Sequence, residues 1–236
     1  MLEPFLASSG QLKQHWTQLT KDIKPKIDTR ASGSLLIDTA VQDSFIVSFV
    51  GREVRRAGRL RGEPIAVVPF RLIANGWEAW IGYREVWSRS KSSARLAFSS
   101  ADLTAYFTVA GAEAFKQVLR AEWAGVVESS GVWYFRPENA GHPHWQIDVT
   151  ETLQQDVDYI TARQLLEETA PPREFGEPER STIASPPWFQ LSRIHFASGM
   201  RPWVDSTIAH GPLTLESIRR WVVDTLTLLH AEFERL

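Results

Sequence analysis

From about residue 33 to residue 109 the chain is a succession of short β-branched and aromatic runs, at 34–37, 44–50, 65–73, 77–83 and, in two pieces, 95–109. Such runs are spaced for strands rather than helices. Asn75-Gly76 falls between two of them, and both residues tolerate the positive φ of a two-residue hairpin turn, so these strands are expected to run antiparallel. Pro64 and Pro69 place the first arm of that hairpin at a sheet edge or at a bulge, because proline cannot donate to a ladder.

Helical spacing frames this region. Leu12, Trp16, Leu19 and Ile23 recur on one face of a helix over about 9–23, capped by Ser8 or Ser9 and stopped by Pro25. Ala114, Phe115, Val118, Leu119 and Trp123 suggest a central helix after Gly111, followed by strands at 132–136 and 144–149. A further strand is expected at 188–196. The last helix, about 215–235, has Thr214 as N-cap, Leu213 and Ile218 as a hydrophobic staple, and a stripe of Ile218, Val222, Leu226, Leu229 and Phe233. Trp221, Val223 and Leu228 spill beyond that stripe. Residues 170–187 concentrate prolines and charges and read as a long mobile loop. The expected fold is therefore α+β: one domain over 1–236, with a mostly antiparallel, twisted sheet flanked by N-terminal, central and C-terminal helices.

Composition narrows the chemistry. A chain of 236 residues with 43% hydrophobic and 23% charged content is ordinary for a soluble globular protein. No window approaches the roughly 18 to 20 apolar residues of a membrane span, and the start lacks the basic segment of a signal peptide, so a cytoplasmic location with no membrane partner is expected. Zero cysteines removes disulfides, thiolate metal sites and cysteine nucleophiles together. The ten tryptophans are spread along the chain, and core packing is their default role. The net charge of −2 hides a split: residues 1–100 carry 15 Lys and Arg against 9 Asp and Glu, whereas residues 101–236 carry 11 against 19. Such a split marks either a polyanion-facing half beside an acidic half, or two segments that pack against each other.

Two regions carry candidate chemistry. In an extended strand, His142, His144, Gln146 and Asp148 share one face while Trp145, Ile147 and Val149 share the other. With His195 from a neighbouring strand, His142 and His144 make a candidate metal-ligand set, and Asp148 is a fourth ligand or an orienting partner. In a hydrolase, His144, Asp148 and His195 would be the catalytic residues. The alternative is a solvated strand face. The second region is the basic cluster Arg52, Arg55, Arg56, Arg59 and Arg61, interleaved with Gly51, Gly58 and Gly62, and joined by Arg89, Lys91 and Arg95 further on. Guanidinium forks beside glycines suit phosphate contacts, and Trp77, Trp80 and Trp87 lie between the clusters as stacking candidates for unpaired bases. Against this, the same arginines protect an edge strand from aggregation, and a pI near 6.3 is low for a dedicated nucleic-acid binder.

Phosphate-loop, dinucleotide-binding and nucleophile-elbow motifs are absent from the sequence. Two readings remain. The first is an accessory or adaptor subunit without a cofactor, binding nucleic acid through the basic N-terminal half and a protein partner or second copy through the acidic, Trp-bearing C-terminal half. The second is a small divalent-metal-dependent hydrolase of phosphodiesterase or nuclease type.

Overall fold

The structure, a computed structural model, describes residues 4–30, 34–41, 44–51, 53–59, 62–73, 76–90, 94–129, 132–134, 143–147 and 211–235. The strand expected at 188–196 and the loop at 170–187 lie outside them.

The elements run β1 (Leu6–Ala7), α1 (Ser9–Ile23), β2 (Ser34–Val41), β3 (Ser44–Val50), β4 (Arg55–Ala57), β5 (Ile65–Leu72), β6 (Trp77–Arg89), β7 (Leu96–Val109), β8 (Lys116–Ala124), β9 (Val127–Ser129), β10 (Val132–Tyr134), β11 (His144–Ile147) and α2 (Leu215–Phe233). Nine strands form one antiparallel sheet whose main order is β11-β8-β7-β6-β3-β2; β9 and β10 pair separately. The α+β class holds.

The spine is the β6–β7 ribbon, thirteen and fourteen residues long. One edge of β6 is shared: Glu78 to Gly82 pair with β5, and Arg84 to Ser88 pair with β3. The β5–β6 hairpin turns at Gly76, whose φ of 77° meets the positive-φ requirement of the turn, and Ile73 N–H closes it onto the Trp77 carbonyl at 2.8 Å. Pro69 sits at a register shift between Pro69 and Arg71, the bulge its missing N–H demands.

Residues 116–124 form a strand, so the sheet is flanked by the N- and C-terminal helices without the expected central one. Here Val118, Leu119 and Ala121 are buried alongside Gln117 and Arg120. With both faces of β8 covered, apolar residues do not alternate with polar ones, and the resulting run imitates a helical stripe. Backbone pairing with β7 on one side and β11 on the other satisfies the strand.

Both helices pack on the same face of the sheet. Leu12, Trp16, Leu19 and Ile23 of α1 and Ile218, Val222, Leu226, Leu229 and Phe233 of α2 meet Tyr83, Trp87, Leu103 and Phe107 in one core. Each fully buried large side chain contributes about 1.5–3 kcal/mol. Ser8 caps α1 in a reciprocal pair with Gln11, and Thr214 caps α2 in the same way with Ser217. The staple does not form, because Leu213 is 86% exposed. Asp22 and Arg219 tie the two helices together. On the opposite face a smaller cluster gathers Ala57, Ile65, Val67, Trp80 and Tyr106, with Phe115 packed against it. No helix among the described residues is long and apolar enough to cross a membrane.

Candidate functional site

The sheet face opposite the helices carries two rows of residues fixed by strand register. One runs through His144, Glu122, Asp102, Arg84 and Ser48 on β11, β8, β7, β6 and β3. The next runs through Gln146, Arg120, Thr104, Gly82, Val67 and Arg55, ending on β4. Directly opposed residues in antiparallel strands are near neighbours, so the fold draws β11 and the basic segment onto one surface. Arg59, just beyond β4, completes the meeting: its Nη1 is 3.8 Å from Asp102 Oδ2 and its Nη2 is 3.7 Å from Glu122 Oε1. Arg120 binds Glu122 at 3.1 Å and donates to Gln146 Oε1 at 2.6 Å.

This is a buried charge network in an unusual state. The Arg59 side chain is only 6% exposed, yet both carboxylates lie beyond direct hydrogen-bond range, and its Nε has no partner. Thr104 Oγ1, on the same face, is likewise buried without a partner. Burial pushes the Asp102 carboxyl up to about 6; Arg59, Arg84 and Arg120 oppose that rise, and the Glu122 charge adds to it.

Of the other sequence candidates, Arg55 and Arg56 are exposed on β4. Arg55 lies 4.9 Å over the Trp80 ring and donates to the Ala112 carbonyl at 3.1 Å; Arg56 reaches the Pro64 carbonyl at 3.4 Å. Arg89 and Arg95 are exposed at the far end of the β6–β7 ribbon. Seven residues of β6 separate Arg89 from Gly82, the register neighbour of the Arg55 row, which is about 23 Å along a strand. Arg52, Arg61, Lys91, His142, Asp148 and His195 lie outside the described residues, and His144 is located by its backbone register alone. Among the described residues no group of His, Asp and Glu converges to hold a metal ion. The stacking role for Trp80 and Trp87 is overturned: both are core residues, and Trp77 is partly buried against the core.

No protein-family model, curated protein or solved structure matches the chain.

The helix-covered face holds a second titratable cluster that the sequence reading missed. Glu85 is wholly buried and accepts four hydrogen bonds: from Trp87 Nε1 at 2.5 Å and Trp16 Nε1 at 3.0 Å on Oε1, and from the Tyr83 hydroxyl and His15 Nε2, the latter at 3.3 Å, on Oε2. Burial works to raise this carboxyl, but His15, Tyr83 and Trp16 outweigh it and hold Glu85 below the usual carboxylate value. Burial and the neighbouring Glu85 charge drive the Tyr83 phenol well above its ordinary value. His15 also lines a groove of about 320 Å³ between α1 and α2, beside Gln14, Gln18 and Glu216. The available signal was an acid between two aromatics at alternate strand positions, Tyr83, Glu85 and Trp87.

Proposed function

We propose that the chain is a cytoplasmic, non-catalytic accessory subunit that contacts nucleic-acid phosphates along the β4 edge. The observation that carries this reading is the pair Arg55 and Arg56, exposed on an edge strand, with Arg55 held in place by the Trp80 ring and the Ala112 carbonyl. A guanidinium oriented in this way loses less side-chain entropy when it binds a phosphate than a free one does. Arg59 is not part of that contact surface, because it turns inward to Asp102 and Glu122. The second basic group, Arg89 and Arg95, lies about 23 Å away along β6, a span of about seven base-pair steps. By strand alternation Arg89 shares the sheet face of Glu85 and Trp87, opposite to that of Arg55, so a ligand that reaches both groups has to pass around the sheet edge, and a mononucleotide reaches one. The protein-partner half of the reading rests on the charge of residues 101–236 alone.

Fluorescence anisotropy with a labelled 20-mer duplex at 50 and 200 mM salt tests it. Each phosphate contact contributes about −0.9 to the log–log salt slope, so replacing Arg55 and Arg56 with Gln should flatten the slope by about 2. Replacing Arg89 and Arg95 should flatten it further if one duplex spans both groups. Salt-insensitive or absent binding by the intact chain retires the reading.

A further inference from the structure

We propose that the β2 edge of the main sheet pairs antiparallel with the β2 edge of a second copy of the chain, about a two-fold axis at Leu36. A strand with a neighbour on one side only presents a row of unpaired N–H and C=O groups, and folds protect such rows by shortness, charge, proline or a bulge. Among the described residues β1, β4, β11 and β2 each have a single partner strand in the main sheet. β1 has two residues; β4 has three, two of them the exposed Arg55 and Arg56; β11 has four and directly follows Pro143. β2 has eight residues, Ser34–Val41, with no proline, lysine or arginine and Asp38 as its one charge. Its only protection is the bulge between Asp38 and Ala40, which leaves the five residues from Ser34 to Asp38 in unbroken register with β3.

The pattern of this stretch is complementary to itself, which selects a second copy as the occupant. Two identical strands that pair antiparallel oppose their residues symmetrically about one position. Centred on Leu36, the pairing sets Leu35 against Ile37 and Asp38 against Ser34 of the second copy, an acceptor opposite a hydroxyl donor, once on each side of the axis. Moving the centre to Ile37 sets Asp38 against Leu36 and carries the pairing into the bulge, and moving it to Asp38 opposes two carboxylates. About four to six main-chain hydrogen bonds span the favoured register. The contact is isologous, so it uses up both β2 edges and closes at two copies. An edge of this length buries less than the roughly 1,200 Å² of a stable interface, and association is accordingly weak, with a dissociation constant on the order of 10–100 µM. The proposal is independent of the Arg55 and Arg56 edge, and its test uses no nucleic acid.

Sedimentation equilibrium of the full chain, from about 5 to about 500 µM, brackets that constant and should show a monomer in exchange with a dimer. The register is read separately. The chain holds no cysteine, so one introduced thiol reports one position. Opposed residues of an antiparallel pair have Cα atoms about 4.5–5.5 Å apart, within disulfide reach. Leu36→Cys should therefore give a disulfide-linked dimer under mild oxidation. Ser34→Cys and Asp38→Cys should not cross-link alone, whereas an equimolar mixture of the two should. Leu36→Lys sets like charges against each other at the axis and should weaken association roughly tenfold while the chain still melts cooperatively; if that variant does not fold, the cysteine variants still decide the register. A chain that stays monomeric to about 500 µM overturns the proposal. So does a dimer in which Leu36→Cys fails to cross-link, or in which the Ser34→Cys and Asp38→Cys mixture cross-links no better than either variant alone.

Discussion

Trp16 on α1 and Glu85 on β6 meet at 3.0 Å, indole Nε1 to carboxylate Oε1. That contact attaches the first helix to the middle of the sheet through one buried acid, and the same acid gathers Tyr83 and Trp87 from its own strand and His15 from the helix. A carboxylate with four donors and no exposure is stable only while all of them face it.

Glu85→Gln is therefore expected to destabilise the chain by about 3–5 kcal/mol, since the amide brings N–H groups to face existing donors and leaves buried polar atoms unpaired. Trp16→Phe removes one donor and should cost less, about 1–3 kcal/mol. Urea denaturation with an unchanged m-value measures both; a Glu85→Gln chain as stable as the parent would contradict the network's role.

The two buried acids give opposite pH responses. Glu85 has a folded pKa below its unfolded value near 4.5, so the stability it contributes is present above that value and is lost as pH falls through the lower, folded one. Asp102 moves from 3.8 to about 6 on folding, so its contribution is fully present below 3.8 and is lost as pH rises through about 6. Asp102→Asn should remove that loss, making the variant more stable than the parent at pH 8, by up to about 3 kcal/mol before discounting for partial solvent access. Thermal melts across pH 4–8 decide the sign.

Gly125 and Gly76 should differ sharply on substitution by alanine. A Cβ at Gly125 would lie 2.2 Å from the Phe98 carbonyl oxygen, in a backbone contact that cannot yield, while the Gly125 N–H is bonded to the Ser99 carbonyl at 2.9 Å. A Cβ at Gly76 meets nothing within 4 Å and suffers only from its positive φ. Gly76→Ala should cost about 1–2 kcal/mol, and Gly125→Ala about 3 kcal/mol or more. Equal midpoint shifts in chemical denaturation would contradict the close approach of the Gly125 and Phe98 backbones.

Removal of the chain from Leu213 onward strips Ile218, Val222, Leu226, Leu229 and Phe233 from the shared core. At about 1.5–3 kcal/mol per fully buried side chain, the loss matches or exceeds the roughly 5–15 kcal/mol that typical domains possess. The truncated chain should show no cooperative melt; a soluble, cooperatively melting 1–212 fragment would make α2 a docked accessory.

Both terminal helices were legible in the sequence, because each buries one stripe and leaves its other face wet: Leu12, Trp16, Leu19 and Ile23 in α1, and Ile218 to Phe233 in α2. The hairpin at Gly76 was legible for a local reason, the φ that the turn requires. Strand β8 was not, because burial on both faces erases the alternation that reveals a strand. Part of the charged face was visible as a run of arginines, but its meaning changed on folding: Arg59 turned inward while Arg55 and Arg56 stayed outside. Its acidic members, Asp102 and Glu122, stand twenty residues apart and become neighbours only through the β7–β8 register, which no local pattern encodes.

Along the shared edge of β6, Gly82 is bonded to the β5 leaf and Arg84 to the β3 leaf, leaving Tyr83 paired to neither. Two hairpin arms thus hang from a single rail on separate hooks. An insertion that lengthens the β2–β3 arm has no ladder through which to shift the β4–β5 arm, so the tips can be remodelled separately, while Val47 and Phe49 of one arm and Val68 and Phe70 of the other stay bound to the same core. Such modularity gives variation a place to act while the ribbon beneath, with its buried Glu85, stays fixed.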